Sequence, residues 1–402
     1  MSEQASLSSH IEYGSSAFKA VLYALFLAGF AIFSSLYCVQ PLMPTLADFF
    51  TVSATQSSFP LSVSTVALAV GLLFTGLISD RFGRKPIMVG ALCAAAILLM
   101  LSAILPYWVF FLASRVLIGL AVSGVAAVAM TYIGEEIAEK DVGLAMGLYI
   151  SGTAIGGMSG RLIAGILVDF ITWQSATFMI GLLNLAIALS FYYLLPNSKH
   201  FSSYPMQWQR FAQSFGKSLA DQKLRLLFIQ GFILMGCFVS IFNYMSYHLL
   251  EQPFALSQVW IGLLSLTYLA GIYSSPRAAQ WGRQFGRHKV LIIMLLLMLL
   301  GVILMSSSSL WLLLLGLALF SFAFFAAHST ASSWVALQAL QYRAVGSSLY
   351  LFSYYMGSSI LGSSSGLVWE NAGWQGLSVF VAGFLIAGIG LALQLKPAKA
   401  LE

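Results

Sequence analysis

Apolar runs of about 20 residues, each closed by a turn or a charge, recur along almost the whole chain. A helix of that length matches the hydrocarbon thickness of a bilayer. Placed by that rule, twelve membrane spans fall at roughly 20–42, 59–78, 86–105, 108–133, 143–168, 175–195, 225–250, 257–280, 289–306, 310–335, 347–368 and 376–395. The long connection is 196–224, which splits the chain into an N-terminal six-helix unit (1–195) and a C-terminal one (225–402). Within it Trp208, Phe211, Phe215 and Leu219 recur at helical spacing beside Arg210, Lys217 and Lys223. That pattern predicts an amphipathic helix along the headgroups, with an unstructured polar linker as the alternative.

Composition removes the soluble classes. Only 8% of the 402 residues are charged, 59% are apolar and the mean hydropathy is +0.89, whereas soluble domains carry roughly 25% charge. The net charge of +6 reflects basic loops rather than nucleic-acid binding, because lysine and arginine are retained on the cytoplasmic side. Lys19, Arg81, Arg84, Lys85, Lys140, the stretch from Lys199 to Arg225, Arg277 to Lys289, Arg343, Lys396 and Lys399 all fall on one side. The opposite loops carry Asp48, Asp169, Glu251 and Glu370 without lysine or arginine. An even span count then puts both termini in the cytoplasm. The polar start lacks the features of a cleaved leader. Cys38, Cys93 and Cys237 read as small core residues, not as a disulfide or metal set.

The two halves repeat at an offset of about 203 residues. Phe82-Gly83-Arg84 returns as Phe285-Gly286-Arg287, Trp108 as Trp311 and Gly143 as Gly346. Asp169 with Trp173-Gln174 returns as Glu370 with Trp374-Gln375. Such a series predicts two parallel six-helix repeats.

The turn Gly76-Leu77-Ile78-Ser79-Asp80-Arg81-Phe82-Gly83-Arg84-Lys85 joins the second and third spans and resembles the signature loop of the major facilitator superfamily. The resemblance implies an all-α fold of twelve helices in two pseudo-symmetric bundles. It also brings Asp80 to the start of the eleventh span at Gly346-Ser347-Ser348, where free amides and the positive helix end favour a carboxylate. With Arg84 paired to Glu135 and Glu136, and Arg81 in the same turn, this contact is expected to latch the cytoplasmic side; solvated loop charges are the alternative. The second half has Arg283 where Asp80 stands.

Arg115-x-x-x-Gly119 resembles the family's fourth-span motif R-x-x-Q-G, with Ile118 in place of the glutamine. An arginine at that depth is either functional, in substrate binding or proton coupling, or a structural donor to backbone carbonyls. Gly152-Thr153-Ala154-Ile155-Gly156-Gly157-Met158-Ser159-Gly160-Arg161 looks like the antiporter motif, though a packing seam also accounts for its glycines. Gln40, Arg115, Arg161, Asn243, Tyr244 and Tyr354 are the expected substrate-binding residues, Gln40 and Asn243 being repeat equivalents. No carboxylate sits in mid-span, which leaves Asp48, Arg115, Glu251 and His328 as proton-coupling candidates.

The resemblance is nearest to twelve-span drug:proton antiporters of the bacterial acriflavine-sensitivity branch. It implies efflux of small amphipathic compounds driven by inward proton flow. Arg115 and Arg161 pull against lipophilic cations, which leaves proton-linked transport of a sugar or organic anion as the alternative. Expected partners are the substrate, protons and lipid, with the chain acting as a monomer. The five scattered histidines and the lack of a phosphate-binding loop exclude an enzyme site, a metal site and a cofactor.

Overall fold

The computed structural model describes residues 10–201, 208–339 and 342–395, without the side chains of residues 76, 77, 80, 208, 210, 211, 343 and 344. Among the described residues nine helices are long and apolar enough to cross a membrane. Two of them, Gln258–Met305 and Val345–Gln394, hold two spans each, and the shorter apolar run Phe59–Thr75 supplies the twelfth.

The spans of the first half are α1 (Ser16–Tyr37), α2 (Phe59–Phe82), α3 (Arg84–Ser102), α4 (Trp108–Glu136), α5 (Val142–Leu167) and α6 (Trp173–Leu194). Those of the second are α7 (Gln222–Leu250), α8 (258–281), α9 (Arg287–Met305), α10 (Leu310–Gln338), α11 (343–372) and α12 (374–394). Local chemistry sets their ends. Ser15 caps α1, its hydroxyl accepting the Phe18 amide at 3.0 Å. Gly83 and Gly286 take φ of +93° and +87° between α2 and α3 and between α8 and α9, a backbone that a side chain would strain. The repeat in sequence is thus a repeat of one turn. Gly373, at φ +57°, breaks the continuous run into α11 and α12.

The bundles are knit by close helix approach. A Cβ on Gly152 or Gly156 would lie 2.3 Å from the carbonyl oxygen of Phe26 or Phe30, and one on Gly160 2.7 Å from Ser34 Cα. The glycines of the antiporter-like motif are therefore the seam that packs α5 onto α1. Between the halves, α2 packs on α11 and α5 on α8. The connecting helix forms over Trp208–Ala220 and seats Phe215 against the core.

The acidic turn after α4, which a basic-loop pattern does not explain, is a docking strip. Ile11 pairs with it, its amide donating to the Glu136 carbonyl at 2.8 Å, and the Tyr13 amide bonds Asp141 Oδ2 at 2.9 Å. These contacts hold the N-terminal segment on the side of the molecule that carries both termini.

Candidate functional site

α1 ends at Tyr37 and turns at Pro41, which cannot continue the helix hydrogen bonding. That turn holds Gln40 between the halves. The seam on α5 presses its neighbour Arg161 into the same place. Arg161 is 4% exposed; its Nε donates to Gln40 Oε1 and its Nη1 to the Gly157 carbonyl at 2.7 Å. Three rings surround the guanidinium: Tyr37 at 4.1 Å, Tyr268 at 4.9 Å and Phe242 at 5.7 Å from their centroids. Phe242 and Tyr268 come from the second half. Among the described residues Arg161 has no carboxylate partner, and its Nη2 makes no hydrogen bond. Burying a cation without a counter-ion is costly, and π faces offset only part of that cost. A void of about 20 Å³, room for about one water, lies beside it, lined by Gln40, Phe242, Ser246, Ile261 and Ser265.

The repeat equivalents Gln40 and Asn243 touch: Gln40 Nε2 donates to Asn243 Oδ1 at 2.6 Å, and Asn243 Nδ2 reaches the Gly362 carbonyl at 3.2 Å. Gln40 thus links Arg161 to the second half. Around this level and outward from it, hydroxyls continue the closure. Thr65 meets Ser359 at 2.7 Å, Ser62 meets Ser363 at 2.6 Å, and Ser57 meets Tyr247 at 2.8 Å. The far side is closed. Tyr244, expected to bind substrate, belongs to this plug: it is fully buried and stacked on Trp369 and Tyr247. Its hydroxyl lies 3.5 Å from the Gly362 carbonyl that Asn243 also reaches.

Tyr354 stands apart from the plug. Its ring lies 4.5 Å from that of His328, whose Nδ1 is 2.9 Å from the Tyr350 hydroxyl. Ring contacts continue from Tyr354 to Phe324 (6.4 Å), on to Phe325 (5.2 Å) and then to Tyr268 (5.3 Å), so an aromatic wall runs from Arg161 toward His328.

Arg115 is placed differently from the substrate and coupling roles expected for it. Fully buried inside the first bundle, it donates to the carbonyls of Ser35 (3.0 Å), Leu36 (2.8 Å) and Pro60 (3.4 Å). Ser35 and Leu36 lie in the last turn of α1, where carbonyls lack helical partners and the helix end is negative. The arginine satisfies both needs, which leaves it no reach into the space between the halves. Asp48 and Glu251 stand exposed on the far surface.

On the termini side Arg84 grips Glu135 with two bonds, 3.0 and 2.6 Å, and donates to Ser79 at 2.6 Å. Glu136 does not share in this pair: burial carries it to His200, whose amide and Nδ1 it meets at 2.9 and 3.1 Å. Arg81 is exposed, stacked over Phe82. The Asp80 side chain, and with it the contact expected at Ser347, lies outside the described residues. Because Arg84 is buried and the fork to Glu135 is charge-assisted, Glu135→Gln is expected to remove about 2 kcal/mol. The check is a drop of several degrees in the apparent unfolding midpoint in detergent, followed by tryptophan fluorescence.

Comparison with known proteins fits this architecture. The profile of the Major Facilitator Superfamily matches residues 25–282. The chain is 48% identical to the inner membrane transport protein YnfM of Escherichia coli K12 over 94% of this chain and 91% of that protein. It is 38% identical to YybF of Bacillus subtilis, an uncharacterised MFS-type transporter, over 95% of each. Its fold is similar to that of a bacterial homologue of the human lysosomal transporter Spinster, with a TM-score of 0.78 at 14% identity, covering 96% of this chain and all of that one. The narrower resemblance to the acriflavine branch finds no counterpart in these names. With twelve spans in two bundles, a site between them and this degree of identity, the chain belongs to the major facilitator superfamily and is a multi-pass membrane transporter, not an enzyme.

Proposed function

We propose that this transporter moves small amphipathic organic anions by alternating access. The observation that carries the reading is Arg161: a buried cation between the halves, ringed by π faces, with no carboxylate partner among the described residues. An anion supplies the missing counter-charge, and a ring or apolar body packs on Tyr37, Tyr268 and Tyr354. A lipophilic cation of the acriflavine type meets repulsion at the same point. Basic loops place the termini side in the cytoplasm, and the name of the Escherichia coli relative supports an inner-membrane location. Efflux driven by inward proton flow is the direction that the antiporter-like motif supports. His328 of α10, within hydrogen-bond distance of the Tyr350 hydroxyl of α11, is the coupling candidate that lies beside the aromatic wall.

The test uses purified protein in liposomes with an imposed pH gradient and an internal pH dye. Aromatic carboxylates, sugars and acriflavine-like cations are added singly. Proton movement triggered by the carboxylates is the expected result. Movement with the cations and none with the carboxylates would overturn the reading, and a response to sugars alone would move the chain to neutral-metabolite transport.

A further inference from the structure

The far side of the molecule carries a matched pair of contacts that the repeat in sequence hides in plain view. On α5, Gly165 stands one helical turn before Asp169; on α11, Gly366 stands one turn before Glu370. Each glycine lets the opposite half come into backbone contact. A Cβ on Gly165 would lie 2.7 Å from Gly262 Cα of α8, and one on Gly366 2.7 Å from Thr55 Cα, in the short helix Ala54–Ser57 that precedes α2. One turn further on, each carboxylate takes an amide of that same opposite half. Asp169 Oδ2 accepts from the Val259 amide at 2.9 Å, and Glu370 Oε1 from the Thr55 amide at 2.7 Å.

We infer that Asp169 and Glu370 are paired gating residues, two pseudo-symmetric latches that hold the far side shut. The geometry gives three reasons. Each half contributes one carboxylate and one helix-start amide, as a two-fold relation requires. First-turn amides have no helical acceptor and attract negative charge, so the bonds form only when the end of α5 meets α8 and the end of α11 meets the short helix before α2. The anchors behind the carboxylates are rigid. Gly373 turns the chain directly after Glu370, and Trp374 Nε1 then fastens it to the Met305 carbonyl at 2.8 Å. After Asp169, Trp173 packs among Phe49, Phe50 and Phe111. Opening the far side must break both bonds and re-expose both amides. Both carboxylates sit at the surface, where water can take over these partners, so the latches can release in each cycle. This role does not depend on which substrate Arg161 binds.

The experiment reads accessibility instead of transport. Cys38, Cys93 and Cys237 are replaced by alanine and Ser246→Cys is introduced beside the central void. Labelling by a membrane-impermeant maleimide is timed in spheroplasts and in inverted vesicles. Asp169→Ala and Glu370→Ala are each expected to speed labelling from the far side about tenfold, the loss of one charge-assisted hydrogen bond, and the double variant by more. Asp169→Asn and Glu370→Gln keep an acceptor and are expected to give smaller rises. Unchanged rates in the double variant, with its unfolding midpoint retained, would overturn the inference. So would an equal rise from both faces, which marks general loosening instead of a gate.

Discussion

Arg161→Gln is expected to cut organic-anion transport at least about a hundredfold while leaving a folded, monodisperse protein. The glutamine can still bond Gln40 and reach the Gly157 carbonyl, so the turn after α1 and the seam with α5 keep their partners. What disappears is the positive charge in a buried site, where Arg161 is 4% exposed. A charge-assisted, forked contact between guanidinium and carboxylate in such a place contributes about 3 kcal/mol, and each 1.4 kcal/mol is a factor of ten. Arg161→Lys separates charge from shape. It keeps the charge but loses the planar fork that lies against Tyr37 and Tyr268, and it is expected to fall between the wild type and the glutamine variant. The measurement is radiolabelled anion counterflow in liposomes. Wild-type flux in Arg161→Gln would remove Arg161 from the site.

Arg115→Leu is expected to fail one step earlier, at folding. The Leu36 carbonyl loses its donor inside the first bundle and that of Ser35 keeps only the weak Cys38 thiol at 3.5 Å, while Pro60 retains the Ser64 hydroxyl at 2.7 Å. Each unsatisfied buried group costs about 1–3 kcal/mol, so losing two is a large fraction of a typical stability of about 5–15 kcal/mol. Leucine fills part of the volume and supplies no donor. Size-exclusion profiles of the detergent-extracted protein are expected to show loss of the monodisperse peak, and Arg115→Lys, which cannot span three carbonyls, a partial loss. A stable, monodisperse Arg115→Leu protein that no longer couples to protons would return this arginine to the coupling machinery.

The two arginines show where reading the chain works and where it stops. Both stand in mid-span beside family-like glycines, and both look equally available to a ligand. Their fates differ because of elements far away in sequence. The end of α1 and Pro60 present three carbonyls to Arg115, whereas Phe242 and Tyr268, from the other half, present ring faces to Arg161. Neither ring carries a signal in sequence. The repeat equivalents of both positions, Val39 and Thr65, are not aromatic, so even the internal symmetry does not point to them. Tyr244 follows Asn243 in sequence, and its stacking on Trp369 and Tyr247 likewise comes from packing that the sequence does not announce.

The sequence by itself determined the number of spans, the division into two six-helix halves, the internal repeat and the basic side of the molecule. Those depend on hydropathy and turn chemistry within about 20 residues, which the bilayer reads segment by segment. Gly83 and Gly286, and the amphipathic stretch from Trp208, belong to the same local class. The tertiary structure decided which buried polar groups are spent and which are free. That is a matter of donors meeting acceptors across helices some 80 to 315 residues apart, from Arg115 with Ser35 to Thr55 with Glu370. In a medium without water such groups must find partners or a ligand, and only the packed bundle shows which of the two each has found.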